Sequence, residues 1–300
     1  MLIEIVRNNF ENIVSLLEYV GNFIVNEQKK GNYNVITKPD KSLLTDLDIM
    51  SEKLIKDELT GLFGKIGVIS EENDEEENID IVKNEFFFLL DPIDGTENFH
   101  NGKTFTINLA FCVKNEPKIG FIHSPLRKTT IFSDGECAYQ KTKTKITKLQ
   151  HSNKPNIIDN KKDEIKLGIG IHNFRNIKLV NEIIRIMNAK NYNLTHEDFI
   201  PCSAMEKVFS IVEGKIEAFF TSSKCKDWDI LPSLPILNAI GLFFHTKNPK
   251  VYKDSNFNSG AFFVANNEDL LNNLLQTMRQ IYKNGLPWNY DINCKNGKYI

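Results

Sequence analysis

Two carboxylates three residues apart, Asp91 and Asp94, lie in the stretch Asp91-Pro92-Ile93-Asp94-Gly95-Thr96. It follows the apolar run Phe86-Phe87-Phe88-Leu89-Leu90, which has the length and composition of a fully buried strand. Pro92 fixes its own φ and has no N–H, so the strand is expected to stop there. Gly95 admits a positive φ and a close backbone approach to a ligand, and Thr96 adds a hydroxyl. Paired carboxylates at the end of a buried strand suit a hard divalent cation, which takes oxygen ligands. Backbone N–H groups of the glycine turn could meet a phosphate. The same letters also spell an ordinary turn, so this stretch alone leaves both readings open.

The elements around it must bring further groups to the same place. Apolar positions from Ile5 to Ile24 recur at helical spacing and predict an amphipathic helix over residues 2–28. A Lys38-Pro39-Asp40-Lys41 turn follows, then Thr45-Asp46-Leu47-Asp48 opens a second helical pattern through Leu59. Lys65 to Ser70 reads as a strand ending at Glu71-Glu72, and the acidic run from Asn73 to Asn78 reads as a solvated loop. Strands are predicted over Thr104–Val113, Ile119–His123 and Thr129–Ser133. The polar segment from Lys141 to Glu164 is the candidate boundary between two subdomains, 1–150 and 151–283, with residues 284–300 as a tail.

In the second half, Lys166–Ile171 reads as a strand, Arg175–Ala189 as a helix and the region near Asn193 as a strand. Ser203–Glu213 reads as a helix closed by Gly214. Ile216–Thr221 and Gly260–Ala265 read as strands, and Glu268–Tyr282 as the last helix. Strand–helix alternation here suggests an α/β layer, and the strand-rich first half suggests α+β. Acidic residues then fall at strand ends or helix starts: Asp48, Glu71, Asp91, Asp94 and Asp229. Helix capping explains Asp48 and Asp229 equally well one at a time; their joint occurrence with the turn is what points to a site.

The 300 residues carry a net charge of −2, which gives no case for a nucleic-acid surface. The five cysteines are scattered without a C-x-x-C pair, against a zinc site or a disulfide framework and in keeping with a reducing cytosol. The first residues lack the basic and apolar regions of a signal peptide. No apolar stretch reaches the ~18–20 residues of a membrane span; attachment at a membrane surface stays open, although no lipidation motif argues for it.

Taken together, the segments resemble the inositol monophosphatase superfamily of metal-dependent, lithium-sensitive phosphomonoesterases. Asp91 to Phe99 resembles its signature, Trp228-Asp229 its second signature, Ser70-Glu71-Glu72 its acidic pair and Thr45-Asp46-Leu47-Asp48 its early Thr-x-x-Asp, in the family's order. The resemblance implies an αβαβα layered sandwich of two subdomains with the site between them. It implies that Glu71, Asp91 and the Ile93 carbonyl hold one Mg²⁺, and that Asp91, Asp94 and Asp229 hold a second. A third ion is often shared near Glu71. It further implies that Thr96, hydrogen-bonded with Asp48, orients and activates the attacking water, and that the N–H groups of Gly95 and Thr96 hold the phosphate. Two metals roughly 3.5–4 Å apart suit an in-line displacement of this kind. The aspartyl-phosphate haloacid dehalogenase type needs Asp-x-Asp, and position 93 is Ile.

Within the superfamily, Asn101 to Ala110 is most similar to the bacterial 3′(2′),5′-bisphosphate nucleotidases of the CysQ type. Ser203-Ala204-Met205-Glu206-Lys207, followed by Ile211-Val212-Glu213-Gly214, is similar to the same branch. Ser203 and Lys207 become candidate substrate contacts, because a second phosphate would reward a nearby cation. A solvated helix lysine is the alternative for Lys207. Glu97-Asn98-Phe99 instead resembles the inositol phosphatases, which leaves a sugar or polyol phosphate as the other substrate class. A third reading is a non-catalytic descendant that binds nucleotide. Pro232 and Pro235, after Trp228-Asp229, replace small residues usual in the family, and Pro235 is expected to kink or delay that helix. Many relatives dimerise, but no interface signature is evident.

Overall fold

The computed structural model describes residues 2–31, 33–38, 43–150, 165–202, 205–221, 225–251 and 257–284. The helical spacing at the start forms two helices, α1 (Leu2–Asn8) and α2 (Phe10–Lys30), where one was expected. Asn9 separates them: it leaves helical geometry, and its side chain bonds the Ile5 carbonyl, the local competition that keeps Asn out of helix interiors. A short antiparallel hairpin, β1 (Val35–Thr37) and β2 (Leu43–Thr45), leads into α3 (Asp46–Phe63).

A seven-stranded sheet follows: β3 (Gly67–Ser70), β4 (Phe86–Asp94), β5 (Thr106–Val113), β6 (Glu116–Ser124), β7 (Thr129–Ser133), β8 (Ala138–Lys141) and β9 (Ile146–Lys148), in that spatial order. Only β3 and β4 are parallel; their crossover contains α4 (Glu75–Ile81). The acidic run is therefore helical and not the loop expected. Asp74 caps α4 by accepting from the Glu77 N–H, and Glu75 to Glu77 face the positive end of the helix dipole. Part of the segment expected to be a polar boundary is strand, since β9 pairs with β8 in this sheet. Residues 151–164 and the tail from 285 lie outside the described residues.

After α5 (Thr96–His100) and the meander, the second half alternates strand and helix. Its elements are β10 (Leu167–Gly170), α6 (Ile171–Arg175), α7 (Ile177–Asn188), β11 (Phe199–Cys202), α8 (Glu206–Val212), β12 (Ala218–Phe220), β13 (Cys225–Lys226), α9 (Asp227–Ile230), α10 (Leu234–Ala239), β14 (Phe243–Thr246), β15 (Asn258–Gly260), β16 (Phe262–Ala265) and α11 (Glu268–Lys283). The strand expected near Asn193 forms later, as β11. Thr195 and Asp198 bond each other across a 3₁₀ turn, which holds that stretch out of the sheet. The second sheet has the order β11-β10-β12-β16-β14.

Side-chain alternation assigns the layers. Phe88 and Leu90 of β4 face α1, α2 and α3, whereas Phe87 and Leu89 face the core built with α8, α9 and α10. Phe219 of β12 closes that middle core from the other side, and Phe220 faces α7 and α11. The result is an αβαβα layered α+β fold, as the resemblance implied. Each fully buried Phe or Leu in these layers contributes about 1.5–3 kcal/mol.

Pro232 and Pro235 do break the helix after Asp229. α9 ends at Ile230, Leu231–Ser233 is a 3₁₀ turn, and α10 restarts with Pro235 in its first turn. A missing N–H costs nothing in a first turn, where it would have no helical partner.

Candidate active site

The site forms where β4 loses its regular pairing. Asp91 pairs with Asn108 and Asp94 with Thr106, so three steps on β4 (91 to 94) oppose two on β5 (108 to 106). This is a β-bulge, and Pro92 sits inside it, where no ladder N–H is required. The strand therefore runs on to Asp94 and does not stop at Pro92 as expected. The extra residue turns Asp91 and Asp94 toward the sheet end, and Gly95 takes the positive φ expected of it, 92°.

Two other elements complete the cluster. Ser70 pairs with Leu90 in the parallel register, so Glu71 follows beside Asp91. α9 delivers Asp229 from the second half, with its Oδ2 accepting from the Lys226 N–H at 2.8 Å. One carboxylate oxygen from each of Glu71, Asp91 and Asp229 lies within 4.8 Å of the other two. That span is close to the distance across an octahedral Mg²⁺, about 4 Å from twice a ~2.0–2.1 Å bond. Oxygen-only donors from three acidic groups fit a hard divalent cation.

The electrostatics agree. Burial, then Glu71, Asp94 and Asp229, push Asp91 well above the ordinary carboxylate range. Asp229 is raised by burial, then by Asp94 and Glu71. Asp94 reaches about 6 through burial, held back by the Met205 N–H and by Lys207. Asp94 and Asp229 keep some residue surface exposed, yet their carboxylates sit in the desolvated crowd. Asp94 stands beside the three-oxygen cluster; its Oδ2 accepts from the Met205 N–H at 2.8 Å and the Thr106 hydroxyl at 3.2 Å.

The second constellation is Asp48 with Thr96. Asp48 is buried near the start of α3, and its Oδ2 accepts from the Thr45 N–H at 2.7 Å and the Thr45 hydroxyl at 2.5 Å. The Thr96 Oγ1 lies 3.4 Å from Asp48 Oδ1 and 3.2 Å from the Ile93 carbonyl oxygen. Burial pushes Asp48 up to about 6 in spite of the Thr45 bonds.

Lys207 is 3% exposed, which rules out a solvated helix lysine, and its charge acts on Asp94 and Cys225. Ser203 lies outside the described residues. Sequence reasoning missed Lys38, whose ammonium lies 3.2 Å from Glu71 and 3.0 Å from Glu72. Burial alone would lower its pKa; Glu71 and Glu72 more than offset that. Burial and Glu71 push Glu72 up to about 7. The only local signal was a lysine flanking a Pro-Asp turn.

These shifts carry a signed expectation. Asp48 and Asp94 titrate near 6 when folded and near 4 when unfolded. Between those values the folded metal-free chain binds more protons, so their contribution to stability is present at low pH and lost as pH rises through about 6. A bound cation favours the ionised forms. The rise in Tm on adding Mg²⁺ is therefore expected to be small at pH 5, larger at pH 7.5, and to go on growing as Asp91 and Asp229, which burial and like charges raise further, give up their protons. A shift of equal size at pH 5 and pH 7.5 would contradict it.

Comparison with known proteins assigns the lineage. A model of the inositol monophosphatase family matches residues 6–283. The chain belongs to this family. Among curated relatives, the 3′(2′),5′-bisphosphate nucleotidase CysQ of Buchnera aphidicola is 34% identical over 123 residues, 40% of this chain and 45% of that one. The CysQ of Aggregatibacter actinomycetemcomitans is 25% identical over 235 residues, 77% of this chain and 80% of that one. The first match thus spans less than half of its relative's length. The solved IMPase of Thermotoga maritima superposes with a TM-score of 0.69 at 22% identity, covering 91% of this chain and 99% of that one. It shares the family fold.

Proposed function

We propose that the protein is a Mg²⁺-dependent phosphomonoesterase acting on a 3′(2′),5′-bisphosphate nucleotide, converting adenosine 3′,5′-bisphosphate to AMP and phosphate. The observation that carries this reading is the Glu71–Asp91–Asp229 cluster with the Thr96–Asp48 pair beside the same bulge. Glu71, Asp91 and the Ile93 carbonyl would hold one cation, and Asp91, Asp94 and Asp229 a second, with a third shared near Glu71. When bound, such ions neutralise charge on the phosphoryl group and make water more acidic.

The chain's own groups do the rest. The Thr96 hydroxyl has one hydrogen, so it donates to Asp48 or to Ile93 but not to both. Engagement of the Ile93 carbonyl elsewhere commits it to Asp48. Its lone pair then orients a water for attack in line with the ester bond, and the Asp48 carboxylate receives the proton through Thr96. The N–H groups of Gly95 and Thr96, at the bulge exit, would hold phosphate oxygens. Lys207 and Ser203, on the segment that also supplies the Met205 N–H to Asp94, are the candidate contacts for the second phosphate.

The two sheets, from residues 67–148 and 167–265, support reading 1–150 and 151–283 as subdomains. Cys112, Cys137 and Cys225 are free thiols, which supports a cytosolic setting. Among the described residues no helix is long and apolar enough to cross a membrane.

One observation favours a second substrate class: Glu97-Asn98 follows the Gly-Thr as in the inositol phosphatases. A side-by-side measurement of kcat/KM for adenosine 3′,5′-bisphosphate and inositol 1-phosphate in Mg²⁺ decides between them. The bisphosphate is expected to be preferred by about tenfold or more, the worth of one charge-assisted contact of ~1.5–3 kcal/mol. A tenfold preference for the inositol ester would assign the enzyme to polyol phosphates.

A further inference from the structure

The acidic run that the sequence consigns to solvent contains one buried residue. Asn78 is 2% exposed, whereas Asp74 to Glu77 before it are exposed. Its side chain lies against β3, the first strand in the sheet order. The Asn78 Oδ1 accepts from the Ser70 N–H at 3.1 Å, and its Nδ2 donates to the Ser70 carbonyl at 2.8 Å. A single amide thus does for Ser70 what a neighbouring strand would do. The clamp is itself held: Asn73 donates to both Asn78 Oδ1 and the Val68 carbonyl, each at 2.8 Å. The Ser70 hydroxyl donates to Glu52 on α3 at 2.5 Å, and Lys56 bonds Glu52 at 2.7 Å.

All three polar groups of Ser70 are therefore tied down, and the next residue is Glu71. The Ser70 carbonyl belongs to the peptide plane that leads into Glu71. Fixing that plane fixes where the Glu71 Cα–Cβ bond starts, and so which way its carboxylate reaches toward Asp91 and Asp229. The β3–β4 pairing alone does not do this, because it ends at Ser70 with Leu90.

We propose that Asn78 is a positioning residue for the metal centre, acting through the Ser70–Glu71 peptide to hold Glu71 within reach of Asp91 and Asp229. This rests on the reading of that cluster as a divalent-cation site. Groups that orient metal ligands from outside are typically worth 10–100-fold in affinity.

The test is direct titration of the substrate-free protein with Mn²⁺, with the melting temperature of each metal-free variant as the measure of folding. Asn78→Asp keeps the acceptor for the Ser70 N–H but turns an acceptor toward the Ser70 carbonyl. Its added negative charge would, by long-range attraction, tighten cation binding. A Mn²⁺ affinity weakened about tenfold or more, with kcat recovered at saturating Mn²⁺, is the expected result and the reverse of what charge alone gives. Asn78→Ala is expected to act in the same direction, and Lys83→Ala, on the exposed side of the same crossover, to leave affinity unchanged. An affinity within twofold of the wild type in folded Asn78→Asp overturns the proposal. Asp91→Asn separates the two levels. If it abolishes Mn²⁺ binding while Asn78→Asp does not, only the role of Asn78 fails; if it binds Mn²⁺ as the wild type does, the metal site itself is wrong.

Discussion

Asp91→Asn is expected to lower kcat/KM roughly a thousandfold or more, with the fold preserved. The carboxylate is buried at the bulge, within 4.8 Å of oxygens from both Glu71 and Asp229. It is the residue that both cation positions would share. Removing its charge forfeits several kilocalories of transition-state stabilisation, and about 4 kcal/mol is a thousandfold in rate. The same change removes the buried carboxyl that desolvation and the like charges of Glu71, Asp94 and Asp229 push up in the metal-free state. Metal-free Asp91→Asn is therefore expected to melt at or above the wild-type temperature at pH 7.5. Phosphate release and a thermal melt on the same sample check both halves. An active variant would remove Asp91 from the site; an inactive variant that melts well below the wild type would mean lost folding and not lost chemistry.

Gly120→Ala should be among the most damaging substitutions away from the carboxylates. A Cβ at position 120 would lie 2.0 Å from the Pro232 carbonyl oxygen, with the Pro235 ring 3.4 Å away. The obstacle is backbone, so it cannot rotate aside. Gly120 is on the central strand β6, and Pro232 follows Asp229 by three residues, within the 3₁₀ turn that joins α9 to α10. Any shift that admits the methyl group moves the element that carries Asp229. Ala is otherwise favoured over Gly in a strand, so destabilisation would report the clash directly. A loss of about 3 kcal/mol, at the upper end for overpacking, corresponds to a fall in Tm of roughly 5 °C for a chain of 300 residues, with weakened Mg²⁺ binding. A melting temperature within about 2 °C of wild type would show that β6 and the 3₁₀ turn are not held as described.

The two substitutions mark what the sequence could and could not disclose. Asp91, Asp94, Gly95 and Thr96 were legible because their chemistry is written in adjacent letters after an unbroken apolar strand. β4 and β7 were legible because their apolar residues are contiguous. Asp48, Glu71 and Asp229 were legible as a set only through resemblance, since each alone reads as a cap or a loop end. Their convergence depends on the β3–β4 register and on α9 packing across the middle layer. Pro92 misled, because a bulge removes the need for its N–H. α4 was hidden because three consecutive glutamates look like solvent, although they suit a helix N-terminus capped by Asp74. Asn78, Lys38 and Gly120 have partners 8, 33 and 112 positions away, and no local pattern encodes such pairings.

The most direct measurement is inorganic phosphate release from adenosine 3′,5′-bisphosphate by the purified protein, in Mg²⁺ and again after removal of divalent cations by a chelator. Release in Mg²⁺ that stops on chelation and returns when Mg²⁺ is restored is the predicted result. Release undiminished by the chelator, or none from any phosphate monoester by a protein that still binds Mg²⁺ and melts cooperatively, would contradict the account.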